Sequence, residues 1–551
     1  MRTPYKIVKL EDLKLDKSKD IGFDIETCGF YQKIRLAQFY QEGDEYVQMV
    51  EWPDPILLAK LVNNYNLLIH NAHYEITTIQ QQTDTRWIPK QYACTFLLAR
   101  LALPKDTEFS LDAVILSVLG HDPYVDQHLD KKKLQKTNWE AAYLTEAQRL
   151  YAATDVYYMP QVYEAVKCAE EEYNYKLDIL ILEYCLDFQW NGMPLDIDRL
   201  NTRFRENEKK LKELACPINY NSWQQVRKWL DSDQSDDIAL ARMELNGNER
   251  AKMIRTCRKT AKQNSFIKKY LLRDDVLLGK FKPSARSGRL TSNDENLQQI
   301  PRKLKGCFSA RPGKVLIYAD YAQLELRTIA AIVNCTLMVQ KFREGVDIHN
   351  FTAEMIFGID FTKHQRQLTK TANFNFLYGG GIAVFISILI KEASIWLKDR
   401  EAYSLRKKWR NLWSEIYAWQ QRGITAWERG KIWSTPLGRQ YVGKMMTDQL
   451  NIQNQGAGSE VAKLALHYMY PEGSKLGDLC DFIHDSYIWE CDDDPTVYEP
   501  LAQIVADAMQ ESWTEMSQLF KVKDLPMPVN VRVGTNWGDI EDGHFIWELN
   551  Q

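Results

Sequence analysis

Asp24 and Glu26 stand two residues apart in the apolar run IGFDIET (Ile21–Thr27). In a strand, that spacing turns both carboxylates to one face. Two neighbouring carboxylates withdrawn from water are costly unless a cation lies between them. Glu75, in NAHYE, follows a second strand-like run, YNLLIHN (Tyr65–Asn71). Asp155 closes YAATD, where the i,i+4 spacing puts Tyr151 and Asp155 on one helix face. Four such acids could hold two divalent ions. A pair of ions ~3.5–4 Å apart activates a water and stabilises the leaving oxygen of a phosphodiester. For any one of these motifs, surface acids on an ordinary α/β domain are an equally good reading.

A second set lies in the C-terminal half. Asp320 ends the apolar strand KVLIYADYA (Lys314–Ala322), and Asp485 sits at the expected tip of a hairpin, DFIHDSYIWE (Asp481–Glu490). Spacing alone does not say that they meet. Between them, in RQLTKTANFNFLYGG, Arg366, Lys370, Phe374 and Tyr378 recur every four residues on one slowly drifting helix face. Two cations followed by two rings suit a nucleoside triphosphate, with charge for phosphates and rings for sugar and base. Spacing by itself reads more simply as an amphipathic helix with an aromatic core stripe.

The elements that must position these residues divide the chain. Residues 1–165 alternate strand and helix patterns, with helices expected near Ala93–Leu103 and Leu144–Ala165. Residues 166–280 are mainly helical, with a turn at Asn191-Gly192, and a basic loop, FKPSARSGRLTSN (Phe281–Asn293), follows. A long helical stretch from about Leu324 to Arg429 is broken by GGG at 379–381.

A chain of 551 residues is long enough for several domains. Its 45% hydrophobic and 26% charged composition is that of a globular protein, and the 12% aromatic content leaves rings for stacking on bases. The net charge is only −4, yet Arg250–Lys305 holds 16 Lys and Arg against 4 Asp and Glu. Such asymmetry suits a chain that grips phosphates in one place and binds metal in others, although a solvated basic helix face has the same composition. Ten cysteines between Cys28 and Cys491 contain no CxxC pair, which argues against a zinc ribbon or disulfide scaffold and for reduced thiols. The N-terminus lacks a signal-peptide core. The longest apolar run, Ile382–Ile390, is too short to span a bilayer. A cytoplasmic location (host cytoplasm if the source is viral), no membrane partner and a monomer are the expectations.

In this order the motifs resemble two known families. D-x-E on a strand, N-x-x-Y-acid and Y-x-x-x-D resemble the 3′–5′ exonuclease motifs of the DEDD proofreading superfamily. DYAQLELR, RQLTKTANFNFLYG and HD resemble the three motifs of polymerase I-like (family A) DNA polymerases. SGRLTSNDENLQQIPR (Ser287–Arg302), TPLGRQY (Thr435–Tyr441) and NIQNQG (Asn451–Gly456) match in order as well. The resemblance covers most of the chain and is weakest at about 200–265.

The fold it implies is multidomain, α/β and α+β. An RNase H-like exonuclease domain (1–165) precedes a right-hand polymerase. That hand has a thumb and template-primer segment (166–303), a palm in two parts (304–335 and 431–551) and fingers (336–430). The implied activity is template-directed DNA synthesis from dNTPs on primer-template DNA, with proofreading. Two Mg²⁺ serve each active site, with Mn²⁺ as a substitute.

Implied exonuclease metal ligands are Asp24, Glu26, Glu75 and Asp155, with Tyr151 orienting the water. Asp320 and Asp485 are the implied polymerase ligands. Arg366, Lys370 and His349 are implied at the triphosphate, with Lys370 also a proton donor to pyrophosphate. Gln323 and Glu325 are also implied to bind the nucleotide, Glu325 as the steric gate against a 2′-hydroxyl. Phe374 implies discrimination against dideoxynucleotides, and Tyr378 stacks beside the templating position. Arg289, Asn296, Gln298, Arg302, Arg439, Asn451, Gln455 and His484 are implied DNA contacts.

Glu75 stands where the family usually has Asp, Ser486 where many members have Glu, Asn375 where Gly occurs and Glu460 where Asp is commoner. The architecture also resembles a compact bacteriophage replicative enzyme without a 5′-nuclease domain. The alternatives are an exonuclease or a DNA-binding protein with an inactive polymerase domain. A single-subunit RNA polymerase is a further one, against which Glu325 and the exonuclease motifs argue.

Overall fold

The computed structural model describes residues 2–103, 108–440 and 445–549. The chain forms two compact units. The first comprises residues 1–190 with two later segments, 280–286 and 437–442; the second comprises the remainder.

The first unit is built on a six-stranded mixed sheet. Its order is Tyr5–Ile7, Val47–Glu51, Ile34–Tyr40, Ile21–Thr27, Leu67–Ile69, Tyr92–Cys94. Ile21–Thr27 lies inside this order, antiparallel to Ile34–Tyr40 and parallel to Leu67–Ile69. Ile21, Phe23 and Ile25 point into the core, so alternation turns Asp24 and Glu26 to the opposite face. Gly22 allows close approach from that face. A Cβ there would meet the Val156 carbonyl oxygen at 2.9 Å and the Met159 Cβ at 3.0 Å.

The helical pattern expected over Leu144–Ala165 is two helices, Glu146–Tyr157 and Met159–Val166. The first opens with a capping box between Thr145 and Gln148. Pro160 explains the break, because it has no N–H to continue the ladder. The strand expected over Tyr65–Asn71 is shorter, Leu67–Ile69, and Ala93–Leu103 is the end of a strand followed by the helix Thr95–Ala102.

The second unit carries a five-stranded antiparallel sheet. Its order is Gly477–Ile483, Ser486–Asp492, Lys314–Tyr321, Val529–Gly534, Trp547–Glu548. The hairpin expected around Asp485 forms, with His484 taking the left-handed backbone (φ 61°) that its tight turn requires. The helices Ala457–Gly473 and Pro495–Ser517 pack together, and the second covers the sheet. Between Leu324 and Glu428 the chain is a series of helices, including Ile348–Phe357, Lys363–Leu377 and Asp399–Leu412. Gly379, in the GGG break, has φ 73°. All ten cysteines are free thiols. No helix among the described residues is long and apolar enough to cross a membrane.

Candidate active sites

In the first unit, Asp24, Glu26 and Asp155 each offer a carboxylate oxygen, and these atoms lie within 4.8 Å of one another. Asp155 comes from the helix Glu146–Tyr157, one turn after Tyr151, and both side chains are buried. Tyr151 acts on Asp155 in the direction of a lower pKa. Burial, then mutual repulsion, pushes Asp24 and Glu26 well above the ordinary carboxylate range. Burial also raises Asp155, against the nearby charge of Lys131 and the influence of Tyr124 and Tyr151.

Glu75, in the first turn of His73–Thr83, stands outside the tight trio, and burial, then repulsion from Asp24, pushes its carboxyl well above the ordinary range. Its Oε2 is buried and has no hydrogen-bond partner among the described residues. Hard oxygen donors, crowded together and short of donors, are the set that a divalent cation satisfies.

The sequence did not reveal Tyr124 or Lys131. Tyr124 is buried and donates its hydroxyl to Asp155 Oδ1. The Lys131 ammonium lies 2.7 Å from Asp112 Oδ1 and 4.7 Å from the Tyr124 ring centroid. Neither belongs to a periodic motif, and only the fold of the segment before the helix brings them to Asp155. From segment 280–286, Lys282 donates to Asn71 Oδ1 at 3.2 Å.

In the second unit, the sheet answers what spacing left open. Asp320 pairs across the ladder with Ser486, the residue after Asp485, so the two aspartates sit at one end of adjacent strands. Burial raises Asp320 to about 6 and Asp485 to about 7, and Asp320 and Glu325 both push Asp485 upward.

Glu325 is the hub of a network: Arg289 donates to its Oε1 at 2.7 Å and the Tyr378 hydroxyl to its Oε2 at 2.6 Å. Asn454, missed in the sequence, is buried and donates to the Tyr378 oxygen at 3.1 Å. It lies in Ile452–Gly456, a π-helical turn that also displaces Asn451 and Gln455 from ordinary i,i+4 register.

Arg366, Lys370, Phe374 and Tyr378 do share a helix, Lys363–Leu377 and its C-cap. Arg366 bonds Asn350 and pairs with Asp347 at 3.4 Å. Gln323, also left-handed (φ 59°), donates to the same Asp347 oxygen at 3.0 Å. Lys370 is exposed, and Phe374 is 37% exposed. His349 is buried, with its ring 5.5 Å from that of Phe374. Burial holds its pKa down to about 4, so it is a neutral group and not the cation that a phosphate contact first suggests.

Of the implied DNA contacts, Asn296 and His484 are exposed, and Arg302 is exposed while pairing with Asp542 at 3.3 Å. Gln298 donates to the Phe482 carbonyl at 2.9 Å. Arg439 is different. Its guanidinium is 3% exposed and lies inside the first unit, 2.8 Å from Asp178 and 3.1 Å from the Asn174 amide oxygen. In this structure it serves as a buried anchor of segment 437–442, engaged with protein groups where a DNA contact was expected. Tyr441, the end of TPLGRQY, lies outside the described residues.

Removing one member of a buried ion pair costs about 3–5 kcal/mol, and replacing both by apolar groups costs far less. Arg439→Met should therefore destabilise the chain by that order in urea unfolding. Adding Asp178→Leu should recover most of the loss. A neutral Arg439→Met would contradict the anchoring role.

Residues 197–539 match the family model described as DNA polymerase family A, and residues 3–167 match that of a 3′–5′ exonuclease. The chain is 25% identical to DNA polymerase I of Aquifex aeolicus (strain VF5), over 95% of this chain and 96% of that protein. It is 29% identical to the thermostable DNA polymerase I of Thermus filiformis and 32% to DNA polymerase I of Caldicellulosiruptor bescii. Those two matches cover 46% of this chain and 31% and 30% of the relatives, so the chain spans about a third of their length. The POL domain of Pol1 from M. smegmatis, solved in complex with DNA primer-template and dNTP, resembles it with a TM-score of 0.73. That likeness holds at 17% identity over 94% of this chain and 95% of the other, and is one of fold.

Proposed function

The chain belongs to DNA polymerase family A and carries a 3′–5′ exonuclease domain, and from that premise we propose that it extends DNA primers from dNTPs and edits their 3′ ends. The observation that carries the reading is the convergence of Asp320 and Asp485 at one sheet end, with Glu325, which acts on Asp485, held by Tyr378 at the C-cap of Lys363–Leu377.

In this reading the five-stranded sheet lies in the palm (304–335 and 431–551), the helices of 336–430 are the fingers, and those of 166–303 the thumb. Asp320 and Asp485 would hold two Mg²⁺, and Asp24, Glu26, Asp155 and Glu75 a second pair. Such ions lower the pKa of an attacking hydroxyl or water and neutralise the departing oxygen. The remaining chemistry belongs to the side chains. Arg366 and Lys370 bring charge to the triphosphate, and Lys370 protonates the departing pyrophosphate. The Phe374 and Tyr378 rings pack on sugar and base. Tyr378 and Arg289 hold Glu325 rigid where a 2′-hydroxyl would otherwise fit. Asn451 and Gln455 read minor-groove acceptors, which hardly vary with sequence. In the exonuclease, Tyr151 orients the attacking water.

A labelled primer-template with Mg²⁺, with and without dNTPs, tests the proposal. Wild type and Asp24→Ala should extend the primer. Without dNTPs wild type should shorten it and Asp24→Ala should not. Extension without shortening in wild type would remove the editing half of the proposal, and no extension at all would remove the other. Glu325→Ala should raise ribonucleotide incorporation by about 10–200-fold, the range one small group commands in a pocket. Unchanged discrimination in single-nucleotide incorporation would show that Glu325 is not the gate.

A further inference from the structure

His349 is neutral, so what it can offer a phosphate depends on which ring nitrogen carries the proton. Its Nδ1 lies 3.0 Å from the Asn373 amide nitrogen, and both residues are buried. The amide's orientation is fixed from two sides. The Trp409 indole N–H, which can only donate, points at Asn373 Oδ1 at 2.8 Å. Thr352 Oγ1 lies 3.3 Å from Asn373 Nδ2 and has given its own proton to the Ile348 carbonyl at 2.6 Å. Both contacts require the Asn373 nitrogen to face Thr352 and His349. His349 Nδ1 must then accept, which leaves the proton on Nε2. Nε2 makes no hydrogen bond among the described residues, and the ring sits beside Phe374, with the charges of Arg366 and Lys370 acting on it.

We propose that Asn373 is a positioning residue: held by Trp409 and Thr352, it fixes His349 as the Nε2–H tautomer and so aims a neutral donor at the triphosphate of the incoming nucleotide. The proposal rests on the reading above that Lys363–Leu377 faces that triphosphate. The arrangement gives a donor that neither repels Arg366 and Lys370 nor depends on pH across the neutral range. The charged groups facing the ring are Asp347 on its own turn and Arg366 and Lys370 from the facing helix.

The direct test is ¹⁵N magic-angle-spinning spectroscopy of the histidine-labelled full chain, with His349→Gln identifying the signal by difference. Wild type at pH 7.5 should show an unprotonated Nδ1 and a protonated Nε2. A protonated Nδ1 would overturn the proposal without any variant. Trp409→Phe, which releases the amide's oxygen, should give a mixture of tautomers.

Asn373→Asp supplies a functional readout. Its carboxylate can only accept, so it pulls the proton to Nδ1 and strips Nε2. At pH 8.5 its KM for dNTP should exceed that of wild type by about tenfold, with kcat less affected. Near pH 6 the ring takes a second proton, Nε2–H returns, and the ratio should fall towards one. The same ratio at both pH values would mean that Asn373 only packs, and would overturn the tautomer argument. His349→Ala separates the two layers: an unchanged KM there would remove the triphosphate contact itself, whatever the tautomer.

Discussion

Asp485→Asn should abolish primer extension, by about 10³-fold or more, while leaving the chain at least as stable as wild type. The first half follows from the ligand role. Asparagine keeps the size of the side chain but loses the negative charge that holds a divalent ion. An ion at such a site provides several kcal/mol of transition-state stabilisation, at about tenfold per 1.4 kcal/mol. The second half follows from the site itself. Asp485 is largely buried, and Asp320 and Glu325 lie close enough to push its pKa to about 7, with Arg289 opposing them only in part. A carboxylate kept in those surroundings is retained against the preference of the fold, as binding and catalytic groups often are. In EDTA, Asp485→Asn should therefore melt higher than the parent. Extension and thermal melting on the same preparations check both halves. Lost extension with a lowered melting temperature would make Asp485 a structural residue and would weaken the assignment of the site.

Strands with apolar residues at alternate positions, such as Ile21–Thr27 and Lys314–Tyr321, were legible because period-2 burial writes itself into residue type. Ile34–Tyr40 was not. Every residue in it is buried, yet it includes Arg35 and Gln38, whose polarity hides the strand. Arg35 is accommodated by an ion pair with Glu51 and by stacking on Trp52, and neither can be seen before the fold exists.

The same division runs through the sites. Periodicity put Arg366, Lys370, Phe374 and Tyr378 on one helix, and that held. It could not tell that Asn373, one residue from Phe374, faces inward to Trp409, 36 residues away. Arg439 is a related case. The resemblance implied a DNA contact there, and only the tertiary fold supplies Asp178 as its partner, 261 residues away.

The second large effect concerns Asp481, a carboxyl that the chemistry does not use. It lies on the strand Gly477–Ile483 at a register shift, fully buried, and neither oxygen has a well-formed hydrogen bond among the described residues. Burial pushes its pKa up to about 8, with the Phe482 N–H and the charge of Lys305 offsetting only part of the cost. In the unfolded chain the same group ionises near 4. Below pH 4 both states hold the proton and Asp481 does not favour unfolding. Between pH 4 and 8 only the unfolded state releases it, so stability falls as pH rises, at about 1.4 kcal/mol per pH unit. Above pH 8 the loss levels off.

Asp481→Leu removes that titration and leaves an apolar side chain in an apolar place. The difference in unfolding free energy between the variant and wild type cancels every titration the two share. It should therefore grow in favour of the variant by about 4 kcal/mol from pH 5 to pH 8. Urea unfolding at pH 5, 6.5 and 8 measures it. A difference that stays constant across that range would mean that Asp481 is ionised in the folded chain, with its charge compensated in the strand. A negative difference at pH 8 would mean that the carboxylate stabilises the hairpin that carries Asp485.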